Sequence, residues 1–272
     1  MICPRNCKVD RNKEIGLCKT KSVPIVASVM VHRGEEPPIS GSRGSGTVFF
    51  SGCNLNCVFC QNHDISQKIN GKLKTVNELA DVFLSLEMKG VHNINLVTPS
   101  HFVPPIAEAI KRSKEQGIKI PFIYNTGGYD AIPSLQLMEG LIDIYMPDMK
   151  YGSDSLGQRY SDVPDYFSIA SQALLEMYRQ VGSPVYKNGI MQKGLFIRHL
   201  VLPNLSDDSI AILDWIKTYT PLAGVSLLAQ YSPQYKAGKY KEINQPLTSN
   251  EYQRVVSHFK STGLHEVYIQ RR

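Results

Sequence analysis

From residue 46 onward, short apolar runs alternate with longer stretches in which apolar residues recur every three or four positions. The short runs read as strands, at 47–51, 93–98, 121–126, 142–147, 195–202 and 225–231, with a late one at 266–270. Between them the 3.6-residue period predicts helices at 76–88, 103–115, 166–180, 206–219 and 249–261. In the first, Leu79, Val82, Phe83 and Leu86 share one face; Thr75 with Glu78 three residues on reads as a capping box, and Gly90 as the stop. Residues 152–165 and 184–194 read as surface connections. At least six strand–helix units in succession predict an α/β fold around a parallel sheet. Such a sheet either curls into a partial (β/α)6 TIM-like barrel or stays open and doubly wound.

Residues 1–45 differ in character. They are rich in cysteine and carry Arg5, Lys8, Arg11, Lys13, Lys19 and Lys21 against Asp10 and Glu14, much of the net charge of +6. We expect a cysteine-rich N-terminal segment, 1–45, lying on a barrel domain, 46–272. With 272 residues and 42% hydrophobic composition, the chain can bury one large core. The basic end carries no recognisable nucleic-acid motif, so nucleic acid is not an expected partner; the negative charge of thiolate-bound metal is. No signal-type segment opens the chain and no apolar run approaches a membrane span, so the expected compartment is the reducing cytoplasm, with no membrane partner and no structural disulfides.

The chemistry concentrates in Cys53-Asn-Leu-Asn-Cys57-Val-Phe-Cys60. This C-x3-C-x2-C run puts three thiolates on one loop, with no fourth cysteine nearby. Iron–sulfur clusters commonly take four cysteine ligands, so a three-thiolate loop leaves one iron open to a non-protein ligand. A structural zinc loop is the competing reading, but it wants a second cysteine pair that the neighbourhood lacks.

With Phe59 before the last cysteine, the loop resembles the radical S-adenosylmethionine (SAM) superfamily. Within it, the chain resembles a group similar to the pyruvate formate-lyase activating enzyme, an activase of glycyl radical enzymes. The resemblance runs through Cys3-Pro4-Arg5-Asn6-Cys7, Glu35-Glu36-Pro37-Pro38, Cys60-Gln61-Asn62, Asn125-Thr126-Gly127-Gly128-Tyr129, Pro147-Asp148-Met149-Lys150-Tyr151 and Arg198-His199-Leu200-Val201-Leu202-Pro203. It implies a partial (β/α)6 barrel with Cys53, Cys57 and Cys60 holding a [4Fe–4S] cluster. SAM would be cleaved reductively to a 5′-deoxyadenosyl radical that abstracts hydrogen from a substrate. It also implies an electron donor such as flavodoxin or ferredoxin, and a protein substrate if the chain activates a glycyl radical enzyme. A peptide- or small-molecule-modifying enzyme, or a non-catalytic iron–sulfur or zinc protein serving electron transfer or assembly, are the alternatives.

By the same resemblance, Asp148 and Lys150 contact SAM, an arrangement chemically suited to its amine and carboxylate. Asn125 at the third strand, Arg198 and His199 on the fifth, and Gln230 and Tyr231 after the sixth join them as cofactor-binding candidates. The activases carry Gly-Gly-Glu after the second strand, where this chain has Val97-Thr98-Pro99-Ser100-His101, so Thr98 and Ser100 are the candidates there. Cys3, Cys7 and Cys18 form a second trio, open to a second iron–sulfur cluster, a zinc site completed by a non-cysteine ligand, or inert thiols. His32 and His101 also neighbour motifs. Glu35 and Glu36 read as a solvated pair that could meet a basic substrate group.

Overall fold

The computed structural model describes residues 2–270. Its elements begin with β1 (Ile25–His32), α1 (Pro37–Ser40), β2 (Ser45–Phe50), α2 (His63–Ser66), β3 (Lys72–Leu73), α3 (Val76–Met88), β4 (Ile94–Val97) and α4 (Val103–Glu115). There follow β5 (Phe122–Thr126), α5 (Ile132–Met138), β6 (Ile144–Pro147), α6 (Asp154–Ser161), α7 (Tyr166–Val181) and β7 (Val185–Lys187). The chain continues through β8 (Ile190–Leu200), α8 (Ser206–Tyr219), β9 (Gly224–Leu228), α9 (Ser249–Thr262) and β10 (His265–Ile269).

Strands β2, β4, β5, β6, β8 and β9 pair in parallel in that order, the six units that the alternation predicts. β10 adds a parallel edge beside β9. The sheet path, β10-β9-β8-β6-β5-β4-β2-β1-β3, does not return on itself, so the barrel is partial and open on one side.

Period-2 alternation within each strand separates two cores. Val48, Phe50, Ile94, Leu96, Phe122, Tyr124, Leu195, Ile197, Val225 and Leu227 point out against the helices. Ile123, Ile144, Met146 and Phe196 point in and pack with Ile39 and Met191. Among the described residues no helix is long and apolar enough to cross a membrane.

Where the structure departs from the sequence reading, the causes are local. Residues 1–45 are not an appendage throughout, because β1 pairs antiparallel with β2 and belongs to the sheet. The loop after β1 then enters the open side of the barrel, where Ile39 is fully buried in the inner core. Residues 152–165 contain α6, whose N-cap Ser153 accepts from Leu156 N–H. Residues 184–194 form a hairpin of β7 with β8 around Asn188 (φ +51°) and Gly189 (φ +75°), the two left-handed positions of a type I′ turn. The capping box of α3 forms as read: Thr75 Oγ1 accepts from Glu78 N–H at 3.2 Å, and Glu78 Oε2 from Thr75 N–H at 2.8 Å.

Asp208, in the first turn of α8, accepts the Gly152 N–H on both carboxylate oxygens at 3.0 Å and so ties α8 to the loop after β6. Burial pushes its carboxyl up to about 6, with the Gly152 bond opposing. A folded-state value above the unfolded one adds stability below the unfolded pKa that is lost as pH rises through the folded one. Asp208→Asn is therefore expected to be more stable than wild type by about 1 kcal/mol at pH 7.5, after discounting for partial exposure, and equal to it at pH 4. Urea unfolding at the two pH values tests this; a difference that does not change with pH overturns it.

Candidate active site

The cysteine loop between β2 and α2 is pinned from several sides by backbone groups that a loop would otherwise leave to water. Asn56 N–H and Val58 N–H donate to the carbonyls of Ser161 and Tyr160 at the end of α6, at 3.0 and 2.8 Å. Gly52 N–H donates to Ile65 O, and Lys236 N–H to Val58 O, both at 2.8 Å. Asn54 Nδ2 reaches Tyr129 O at 2.6 Å, and Gln67 Nε2 reaches Leu55 O at 3.1 Å. Phe59 packs edge-on against Tyr151 and Tyr231, so the aromatic residue before the last cysteine is a wedge that fixes its direction.

The sulfurs are surrounded by hydrogen-bonding groups. Leu55 N–H donates to Cys53 Sγ at 3.4 Å; Ser161 Oγ lies 3.0 Å from Cys57 Sγ, and Ser66 Oγ 3.2 Å from Cys60 Sγ. Burial pushes the Cys53 and Cys57 thiols up, the other thiols of the trio add to that, and Lys150 opposes it. Cys53 and Cys57 would therefore ionise at a cost when alone, and a bound cationic iron centre would remove that cost. Among the described residues no three Cys, His, Asp or Glu side chains converge as ligands of one metal ion must. A cluster spreads its cysteines over different irons and needs no such single point of convergence. The all-sulfur donor set and this spacing fit an iron–sulfur cluster better than a single ion.

Opposite the thiols, the ends of β6 and β8 bring together a chain of charges. Asp148 and Arg198 are register neighbours in the parallel pairing. Asp148 accepts from Lys150 Nζ on Oδ2 at 2.7 Å and from Arg198 Nε on Oδ1 at 3.0 Å. Burial alone would raise the Asp148 carboxyl, but Lys150 and Arg198 outweigh it and hold it below the usual range. Burial likewise opposes the Lys150 charge, and Asp148 more than restores it. Arg198 continues the chain through Nη2 to Asn125 Oδ1 at 2.7 Å and Nη1 to Glu35 Oε2 at 3.3 Å.

Tyr166 on α7 sets this geometry from behind. Its hydroxyl accepts from Lys150 N–H at 2.9 Å and lies 2.9 Å from both Gly127 O and Asp148 O, tying the turn after β5 to the turn after β6. Gly128 (φ +82°) allows the approach, since a Cβ there would sit 2.5 Å from Asp148 O. Tyr166→Phe leaves a buried Lys150 N–H without its acceptor and is expected to cost about 2 kcal/mol of stability, read by urea unfolding. An unfolding midpoint equal to wild type overturns that role.

Between thiols and charges lies a cavity of about 260 Å³. Cys57, Cys60, Asp148, Lys150, Arg198 and Gln230 line it, with Phe59, Leu200, Leu202 and Leu228 as its apolar walls. Lys150 spends one of its three donors on Asp148, so two remain for an anionic group. Charged groups beside apolar walls suit a ligand with a zwitterionic end and a flat aromatic one.

The other candidates are placed elsewhere. Asn125 stands behind Arg198. Ser100 Oγ is spent on Thr126 Oγ1 at 3.0 Å, which in turn donates to the buried Asp130 at 2.6 Å. Thr98, at φ +59°, ends β4 without lining the cavity, its N–H donating to Asn125 O at 2.8 Å. Tyr231 is buried on Phe59, its hydroxyl donating to Ile243 O at 2.6 Å. His199 is corrected outright: it points out of the barrel, with Nδ1 on Met149 O at 2.7 Å and Nε2 on Ser209 Oγ at 2.8 Å, and burial pushes its pKa down to about 4. It is a neutral core histidine. His101 is the same, buried, with Nε2 on Ser51 O at 2.9 Å and its pKa pushed down to about 4 by burial. His32 ends β1, at the opposite end of β2 from the cysteine loop. Sequence reasoning missed Ser66, Ser161 and Tyr166, which carry no motif, and Glu35 as a partner of Arg198.

The second trio lies against the first. Asn54 Nδ2 is 3.6 Å from Cys3 Sγ, and Arg5 Nε donates to Asn54 O at 2.8 Å, so the residue after Cys53 touches both. Burial pushes the Cys3 thiol up to about 11, and Cys18 adds to it. Cys7 Sγ accepts from Leu17 N–H at 3.3 Å. Cys3 and Cys7 share the lining of a cavity of about 460 Å³.

Comparison with known proteins agrees with this architecture. An uncharacterized protein of Methanocaldococcus jannaschii is 31% identical over 276 residues, which cover 98% of this chain and 76% of that one. Streptococcus suis SuiB bound to its precursor peptide SuiA shares the fold, with a TM-score of 0.56 at 12% identity over 81% of this chain and 46% of SuiB. SuiB bound to S-adenosylmethionine gives 0.54 at 11% identity, over 84% of this chain and 46% of that one. The chain thus spans about half the length of SuiB. The model of the radical SAM superfamily matches residues 47–216, from the first barrel strand through most of α8, and the chain belongs to that superfamily.

Proposed function

We propose that the chain is a radical SAM oxidoreductase in which Cys53, Cys57 and Cys60 hold a [4Fe–4S] cluster while Asp148, Lys150 and Arg198 bind SAM. The observation that carries this is the single cavity lined at once by cysteines of the loop and by the Lys150–Asp148–Arg198 chain. A bound, reduced cluster held by these cysteines would supply one electron to the SAM sulfonium, so that SAM would part into methionine and a 5′-deoxyadenosyl radical able to take a hydrogen atom from the substrate.

The chain's own residues do the positioning. Lys150 offers two free N–H donors to the methionine carboxylate, and Asp148, held ionised by Lys150 and Arg198, accepts from the amine or ribose hydroxyls. Leu200, Leu202 and Leu228 supply apolar surface for adenine, with Gln230 at the rim. Ser161 and Ser66 turn hydroxyls toward the sulfurs, and such second partners tune a cluster's potential.

The strand end that carries Gly-Gly-Glu in the activases is Thr98-Pro99-Ser100 here, with Ser100 spent on Thr126. We therefore take a peptide or small molecule as the hydrogen donor ahead of a glycyl radical enzyme. For Cys3, Cys7 and Cys18 we take a second iron–sulfur cluster over zinc, since the trio lies against the first cysteine loop through Asn54. Lys8, Lys13, Lys19 and Lys21 are exposed around that trio and suit an acidic electron donor of the flavodoxin or ferredoxin type. The test is anaerobic cluster reconstitution followed by reduction with SAM present, assaying 5′-deoxyadenosine alongside iron, sulfide and zinc. Release of the nucleoside is expected; a fully reconstituted cluster that never cleaves SAM overturns the reading.

A further inference from the structure

The loop after β1 carries two carboxylates into the open side of the barrel, and the charges they meet do not balance. Glu35 accepts from Asn95 Nδ2 on Oε1 at 3.0 Å and from Arg198 Nη1 on Oε2 at 3.3 Å. Glu36 is 6% exposed, and its one side-chain hydrogen bond among the described residues comes from Ser226 Oγ at 2.9 Å. Arg198 directs Nε, Nη2 and Nη1 to Asp148, Asn125 and Glu35, and makes no hydrogen bond to Glu36 among the described residues. Glu35, Glu36 and Asp148 thus face Arg198 and Lys150, one negative charge in excess. Burial pushes the Glu36 carboxyl up; Arg198 opposes this at a distance and Glu35 reinforces it.

Asn95 gives a second, independent sign. It is fully buried, and its Oδ1 has no hydrogen-bond partner although its Nδ2 sits on the Glu35 carboxylate. An unpaired acceptor next to a carboxylate pair with too few countercharges is costly, and a cation rich in N–H groups set against Glu35 and Glu36 relieves the carboxylates. Space for it is present. Glu35, Glu36, Arg198, Leu228, Gln230 and Tyr268 line a cavity of about 310 Å³, and Arg198, Leu228 and Gln230 also line the cavity beside the cysteines. A molecule in this second chamber is therefore one side chain away from the first. Anchoring of the loop by Ser226 does not account for the pair, because a neutral glutamine would accept that bond without burying a charge.

We infer that this second chamber binds a positively charged nitrogen group, an amine or guanidinium, of the molecule from which hydrogen is abstracted, with Glu36 as its countercharge. The substrate role rests on the radical SAM reading of the neighbouring cavity; binding of the cation does not. Arg33, also at the lining, is exposed and held on Ser42 O, so it does not supply the missing charge inside.

The test uses the full-length reconstituted holoprotein under anaerobic conditions with SAM present. n-Butylguanidinium is titrated against 1-butanol by ligand-observed NMR, for wild type, Glu36→Gln and, as a surface control, Asp81→Asn on exposed α3. The guanidinium is expected to bind at least about 10-fold more tightly than the alcohol, and Glu36→Gln to lose about 10-fold, or ~1.4 kcal/mol, while Asp81→Asn loses nothing. Equal binding of cation and alcohol by wild type overturns the inference, as does Glu36→Gln binding like Asp81→Asn. Should Glu36→Gln not fold, the wild-type comparison alone decides. The same wild-type sample is assayed for 5′-deoxyadenosine. Cation binding without SAM cleavage sinks the radical SAM reading and keeps the cation site, whereas cleavage without cation binding sinks the site alone.

Discussion

Cys57→Ala protein, reconstituted anaerobically beside wild type, is expected to release 5′-deoxyadenosine at a rate lowered by at least about 100-fold, the upper end of what losing even an outer partner of a metal ligand costs. The reason is positional as much as chemical. Cys57 is buried, its sulfur lies 3.0 Å from Ser161 Oγ, and it belongs to the wall shared with Lys150, Asp148 and Arg198. Removing it leaves two thiols where the resemblance requires three, and the loop has no fourth cysteine to replace it. Iron and sulfide at the cluster are expected to fall with it, read by metal analysis and by loss of the charge-transfer absorbance. Because Cys57 makes only one side-chain hydrogen bond among the described residues, to Ser161, the folded chain should survive the change, so circular dichroism should match wild type. A variant that keeps wild-type SAM cleavage removes Cys57 from the centre.

Arg198→Leu is expected to lower the unfolding free energy by about 3–5 kcal/mol, the range for removing one partner of a buried ion pair. Arg198 has side-chain exposure of 15% and Glu35 of 12%, so neither charge is well screened by water. Its loss leaves Glu35 with Asn95, Asn125 with an unfilled acceptor, and Asp148 with Lys150 alone. Arg198→Lys keeps the charge without the fork and is expected to recover only part of the stability, since a single ammonium cannot reach three acceptors on three elements. Urea unfolding of both variants reads the effect, and SAM affinity should fall in the same order. If Arg198→Leu unfolds within about 1 kcal/mol of wild type, the charge chain is not what holds the mouth of the barrel.

Some of this site was legible in the chain because its parts are close in sequence or sit at a place the fold rule names. Cys53, Cys57 and Cys60 span a single loop, and a spacing of that kind survives whatever the rest of the chain does. Asp148 and Lys150 follow a strand, and barrel sites gather at the C-terminal ends of strands. Arg198 and His199 were less separable. Neighbouring residues on a strand face opposite sides, but β8 is covered on both, so no polar–apolar contrast tells which of the two looks inward. Register decides it: Arg198 lies beside Asp148 and Ser226 across the sheet, and His199 goes to the helix layer.

The sequence by itself determined the strand–helix alternation, the six parallel units, the capping of α3 and the three-thiolate loop, because each rests on periodicity or spacing within a few residues. It left open β1 as a sheet edge, the entry of residues 33–40 into the barrel, and every contact that joins distant segments. Glu35 meets Arg198 across 163 positions and Glu36 meets Ser226 across 190. Read locally they are a solvated acidic pair; the tertiary structure makes them buried acceptors in a chamber that shares Arg198, Leu228 and Gln230 with the cavity beside the cysteines. The difference is physical: a charge is cheap in water and costly in the interior, and only the folded chain decides which of the two surrounds it.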